Sequence, residues 1–111
     1  MTRITVAVLN PGSAKWELRE IENDYDSFYA IIEGPLEHVE IAPEASLYCH
    51  EEGKIIELPP CAAWMYHGKL HDILHGTLCL TGPADDDGYE TSITEAGLAK
   101  AQEVLIPVVL L

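Results

Sequence analysis

Apolar and polar residues alternate with period two at several places along the chain, and each such run predicts a strand. Ile4, Val6 and Val8 alternate with Thr5 and Ala7, and Asn10-Pro11-Gly12-Ser13 then stops the run. From Trp16 to Ile21 the pattern resumes, with Trp16 and Leu18 on one face and Glu17 and Arg19 on the other, so the two runs predict a hairpin. Asn23 or Asp24 can cap a helix that follows. Asp24 and Asp26 suit the positive end of its dipole, Phe28, Ile31 and Ile32 form its apolar stripe, and Gly34-Pro35 ends it. Val39 and Ile41 oppose His38 and Glu40, and Leu47 and Cys49 oppose Tyr48 and His50, which predicts two half-buried strands.

Glu51-Glu52-Gly53-Lys54 reads as a polar turn that returns the chain through Ile55-Ile56-Glu57-Leu58 as a hairpin, with Tyr48 and His50 on its outward face. Pro59-Pro60 lacks ladder donors, so residues 61–68 read as a connection. Residues 72–80 alternate with both faces largely apolar, as in a strand near the centre of a sheet. Gly82 to Gly88, with its run Asp85-Asp86-Asp87, is a solvated loop. Ser92-Ile93-Thr94-Glu95 has the capping-box pattern, Leu98, Ala101, Gln102 and Leu105 continue at helical spacing, and Pro107 ends the helix. Val108 to Leu111 form an apolar tail that must pair with a sheet edge or pack on a partner. The order β-β-α-β-β-β-β-α predicts one α+β domain over residues 1–111. Its mostly antiparallel sheet of about five to six strands would carry two helices packed on one face.

Several short motifs occur in a particular order: Asn10-Pro11-Gly12 after the first strand, Arg19-Glu20-Ile21-Glu22-Asn23, Glu51-Glu52-Gly53-Lys54, Leu58-Pro59-Pro60, Asp72-Ile73 before Gly76-Thr77, and Thr91-Ser92-Ile93-Thr94 opening the last helix. In that order and spacing, over about residues 3 to 105, the chain resembles an uncharacterised small domain family of bacteriophages, plasmids and their hosts. The resemblance implies an α+β fold and a mobile-element setting, and it implies no reaction. Family members usually continue the Pro-Pro segment with Asn and Arg. This chain has Cys61 and Ala62 there, so no ligand role of that polar pair carries over.

Six Lys and Arg against nineteen Asp and Glu leave a net charge of −13. That excess argues against direct binding of nucleic acid or of an anionic membrane, both of which need dense positive charge. The apolar run at residues 4–9 is too short for a signal peptide or a membrane span, and three cysteines without close spacing suit a reducing compartment, so a cytoplasmic location is expected.

Candidate chemistry is sparse. His67, His71 and His75 would sit about 6 Å apart on one helix face and could share a metal, but on a strand neighbours are about 13 Å apart, and the alternation around them favours the strand. No metal or other cofactor is therefore expected. Asp85-Asp86-Asp87-Gly88 lacks the alternate acids and distal Glu of a calcium loop. Cys61 could act as a nucleophile only with a basic partner such as His67. No nucleotide or hydrolase motif and no acid–base pair stands out, so a binding protein is favoured over an enzyme.

The acid excess remains to be explained. A domain about 30 Å across matches duplex DNA carrying about eighteen phosphates, so thirteen negative charges are of the right order to imitate DNA if they share a face. Ordinary solubility charge is the other reading. The leading expectation is a counter-defence accessory protein that binds a basic surface of a host protein, with Glu40, Tyr48, His50, Glu51 and Glu52 as contact residues. The alternative is a module that sequesters a nucleotide signal, which would need Arg3, Arg19, Lys54 and Lys69 to converge. A homodimer joined through an edge strand or the tail is a third possibility.

Overall fold

A computed structural model describes residues 3–109. The chain builds two antiparallel sheets and two helices. β1 (Arg3–Leu9) and β2 (Glu17–Glu22) form the expected hairpin, closed by a turn in which Pro11 sets one dihedral and Gly12, at φ 86°, supplies the left-handed one. The helix α1 (Tyr25–Ile32) follows, and β3 (Leu36–Ala42) then pairs with β4 (Ala45–His50). β5 (Pro60–Tyr66) and β6 (Lys69–His75) make a second hairpin. The chain continues through β7 (Leu78–Thr81), α2 (Glu95–Val104) and β8 (Leu105–Pro107). The larger sheet has the order β2-β1-β7-β4-β3 and the smaller one β6-β5-β8. Among the described residues no helix is long and apolar enough to cross a membrane.

The α+β class is as expected, but the layout differs in four respects. The expected return through Ile55–Leu58 is not a strand. Residues 51–57 coil into tight turns, with Ile56 N donating to Glu52 O at 3.0 Å, and Ile55 is left 79 % exposed. β4 already carries β3 on one edge and β7 on the other, so its hydrogen-bonding groups are used and no third ladder can form. The long apolar run at 72–80 is two strands in two sheets, divided at Gly76, whose φ of 84° turns the chain. β7 is indeed the central strand of its sheet.

The segment after Pro59-Pro60 is a strand rather than a connection. Pro60 occupies the first position of β5, where a missing donor is tolerated, and β5 is central in the smaller sheet. The two helices do not share a face. β1 buries Ile4, Val6 and Val8 on one side together with Phe28 and Ile32 of α1 and Cys79 of β7. On the other side Ala7 and Leu9 meet Leu47, Leu78 and Leu80, Ala62 and Leu74 of the smaller sheet, and Ala101 of α2. A sheet apolar on both faces needs cover on both, and one helix goes to each.

Caps and glycines set the helix positions. Asp24 caps α1 by accepting from Ser27 N at 2.8 Å, and Glu33, at φ 62°, closes its other end. α2 is capped by Thr94, which accepts from Gly97 N at 2.9 Å, two residues beyond the expected cap; Ser92 Oγ instead accepts from Thr5 N. The tail begins as an edge strand, with β8 on β5 and Val108 N donating to Cys61 O, while Leu110 and Leu111 lie outside the described residues.

Gly97 lies within α2, where alanine normally stabilises by about 0.5–1 kcal/mol. Here a Cβ would stand 2.6 Å from Glu44 O, and at Gly34 a Cβ would fall 2.1 Å from His50 Nε2. Gly97→Ala and Gly34→Ala are each expected to lower stability by about 1–3 kcal/mol in urea denaturation, from overpacking. A Gly97→Ala variant more stable than the parent would show that α2 does not press on the β3–β4 turn.

Candidate functional site

Tyr48 and Ser46 point from β4 towards the side that α1 covers. The Tyr48 ring lies between Phe28 of α1, 4.9 Å away by ring centres, and His38 of β3, at 5.1 Å. Its hydroxyl donates to Glu90 Oε1 at 2.6 Å. Thr81 Oγ1, fully buried at the end of β7, lies 3.0 Å from Glu90 Oε2 and 2.9 Å from Gly82 O, sharing its proton between them. Asn23 Nδ2 donates to the Glu90 carbonyl at 2.8 Å. Two strands and the β2–α1 connection thus hold one glutamate in place. Burial first, then the Glu90 carboxylate, raises the Tyr48 pKa well above the usual phenol range, so the hydroxyl stays a donor.

Glu90 belongs to a strap that leaves β7 at Thr81 and returns beside β1. Gly82 N donates to Thr91 O at 2.9 Å, which closes the base, and Ile93 N donates to Thr5 O beyond it. At the tip, Asp85 Oδ1 accepts from the backbone N–H groups of Asp87 and Tyr89, both at 2.9 Å. The acidic run is therefore a solvated loop, as expected, with Asp85 ordering it. The strap and the Tyr48–Glu90 bond divide this side of the molecule into two hollows. One, of about 430 Å³, lies towards α1 among Asp24, Tyr25, Phe28, Tyr89 and Glu90. The other, of about 410 Å³, lies towards β3 among His38, Glu40, Ser46, Pro83 and Glu90.

The expected contact residues are not all together. Glu40 is exposed on the edge strand β3 and lines the second hollow, and Tyr48 separates the two hollows. His50, expected on an outward face, is instead buried beneath Gly34, with Nδ1 accepting from Glu52 N at 3.0 Å. Glu51 and Glu52 are exposed beyond the far end of β4, about 13 Å along the strand from Ser46.

Nor do the cations converge. The β1–β2 register puts Arg3 opposite Glu22 on one face of the sheet and Arg19 opposite Val6 on the other. Arg3 pairs with Glu20 at 2.9 Å and Glu22 at 3.2 Å, and Arg19 with Glu17 at 3.0 Å. Lys54 pairs with Asp72, and Lys69 is exposed at the start of β6. These surface pairs are screened by water and add little stability, but they give the cations local partners.

His67 lies in the β5–β6 turn, the His71 ring meets Trp64 edge-on at 4.7 Å, and His75 Nδ1 is 2.7 Å from Leu58 O. Among the described residues no three His, Cys, Asp or Glu side chains gather in a metal-binding group. The nucleophile reading of Cys61 fails. Its thiol is buried, donates to Leu9 O at 3.3 Å, and is pushed up to about 12 by burial. Glu90, the centre of the site, carries no local signal in the sequence, because its partners Tyr48 and Thr81 are 42 and 9 residues away.

Tyr48→Phe is expected to lower stability by about 1 kcal/mol in chemical denaturation, with a coupling of about 0.5–1.5 kcal/mol to Glu90→Gln in a double-mutant cycle. Strictly additive effects would show that this bond does not fasten the strap.

No curated protein and no solved structure matches the chain. Residues 4–106 match the family described as a domain of unknown function, DUF3846, and the chain belongs to that family.

Proposed function

We propose that this chain is a binding protein whose acidic side, built from α1, β3 and the strap, engages a basic surface of another protein. The observation that carries this reading is the distribution of cations. Residues 20–53 and 70–99 contain no Lys or Arg, yet they hold sixteen of the nineteen acids and supply α1, β3, β4, β7 and the strap. The hollows on either side of Tyr48 are lined without a cation, while a third beside Glu90, of about 500 Å³, has Arg3 in its wall. Arg19, on the α1 side of the sheet at β2, is paired with Glu17, and Arg3, Lys54 and Lys100 also each stand beside a carboxylate. A side so weighted towards carboxylates would steer a basic partner and raise association rates.

In the mobile-element setting that the motif order implies, the partner is a host protein whose basic surface ordinarily takes nucleic acid, such as a nuclease of a defence system. Occupying that surface blocks it. The chain itself needs no chemistry for this role, and the three buried thiols, each pushed up to about 12 by burial, supply no nucleophile.

The test separates placed charge from total charge. A fluorescent nona-arginine peptide serves as the basic probe, and two charge-matched double variants are compared. Glu40→Lys with Asp86→Lys is expected to weaken binding about tenfold at low salt, and the loss should shrink at physiological salt as screening sets in. Glu95→Lys with Glu103→Lys, on α2 across the sheet, should weaken it less than about twofold. Equal losses in the two variants would mean that the acids act only as solubility charge.

A further inference from the structure

The hollow towards α1 has a lining that acidity alone does not explain. Tyr25 and Tyr89, at its mouth, are 60 % and 65 % exposed, although both rings are large and apolar. Phe28 and Tyr48, in contact at 4.9 Å between ring centres, form part of its wall. Asp24 and Glu90 add two carboxylates. At about 430 Å³ the space falls within the roughly 300–1,000 Å³ of small-ligand sites. Four aromatic rings with two carboxylates and no cation suit a positively charged group and disfavour both an anion and a purely apolar one.

Both carboxylates keep acceptor capacity. Asp24 uses Oδ1 for the helix cap, and the hydrogen bonds from Ser27 hold its carboxyl below the ordinary carboxylate value, so it remains ionised. Glu90 accepts one hydroxyl on each oxygen, which leaves about two of its roughly four lone-pair sites open. A planar guanidinium can lie on a tyrosine face and donate from its edge to two acceptors at once, whereas an ammonium is a strongly hydrated point charge.

We infer that this hollow is the pocket for an arginine side chain of the basic partner, with the guanidinium covered by Tyr25 and Tyr89 and its N–H groups on Asp24 and Glu90. The inference rests on the acidic-side reading and names the anchor within it. It makes Asp24 and Tyr89 specificity-determining positions, and neither side chain belongs to the buried core.

The peptide acetyl-Gly-Arg-Gly-amide and its citrulline counterpart, equal in shape but uncharged, are titrated into the folded protein and followed by two-dimensional NMR. The arginine peptide is expected to shift resonances of residues 24–28 and 88–90, and the citrulline peptide to leave them in place. Tyr89→Ala should weaken the arginine peptide about two- to fivefold, the range of an exposed cation–π contact. Asp24→Asn, which keeps the helix cap while removing the charge, should weaken it by at least as much. Equal binding of citrulline, shifts centred on Glu40 instead, or unchanged affinity in both variants would overturn the pocket.

The two readings fail differently. If Glu40→Lys with Asp86→Lys weakens nona-arginine while Tyr89→Ala and Asp24→Asn do nothing, the acidic side stands and the pocket falls. If the arginine peptide docks at residues 24–28 and the placed charge reversals have no effect, the pocket stands and the broader acidic side falls.

Discussion

β7 has only four residues, all buried, and it pairs with β1 on one edge and β4 on the other. A strand so placed exposes neither edge nor face, so the surrounding structure must supply both ladders and an apolar cover on each side. That demand accounts for the layout. Cys79 points to the α1 side, Leu78 and Leu80 point to the side of α2 and the smaller sheet, and each set sits in its own core cluster. It also accounts for the turns at 51–57, since β4 spends its second edge on β7 rather than on the residues that follow it in sequence.

The strap follows from the same strand. β7 ends at Thr81, yet β1 continues as far back as Arg3, so the line between β1 and β4 is unfilled beyond that point. Residues 91–93 return to that line, bonded to Thr5 through Ser92 Oγ and Ile93 N. Gly82 is required where the strap closes, because a Cβ there would lie 2.4 Å from Ser92 O. The excursion between these points carries Glu90 over the face of β4 and Asp85-Asp86-Asp87 into water. A short central strand thereby positions the acidic loop next to α1.

Much of the architecture could be read from local pattern. The β1–β2 hairpin, the Asp24 cap, the β3 and β4 strands, the acidic loop and the second helix all have short-range causes: alternation, a turn with Pro and Gly, or a side-chain cap. The misreadings share a different cause. Whether Ile55-Ile56 joins a sheet depends on an edge that is taken by residues 78–81, and whether 72–80 is one strand or two depends on a single glycine dihedral. Pro59-Pro60 suggested a break because the first position of a strand looks the same as a loop. The site was less legible than the fold. Tyr48 and Glu40 were within reach of alternation, but His50 faces Gly34, a contact set by the end of α1, and Glu90 acquires its place only through tertiary hydrogen bonds.

The three free cysteines are distributed usefully. Cys49 and Cys61 lie in the cluster beneath α2 and the smaller sheet, while Cys79 lies in the cluster beneath α1. Cys49, 4 % exposed, lines a surface hollow, but Cys61 and Cys79 are sealed from solvent and cannot react with an alkylating reagent until the layer above them lifts. The chain therefore contains its own reporters: the rate at which each of these two sulfurs is labelled measures how often that side of the sheet opens, separately for the two halves of the interior.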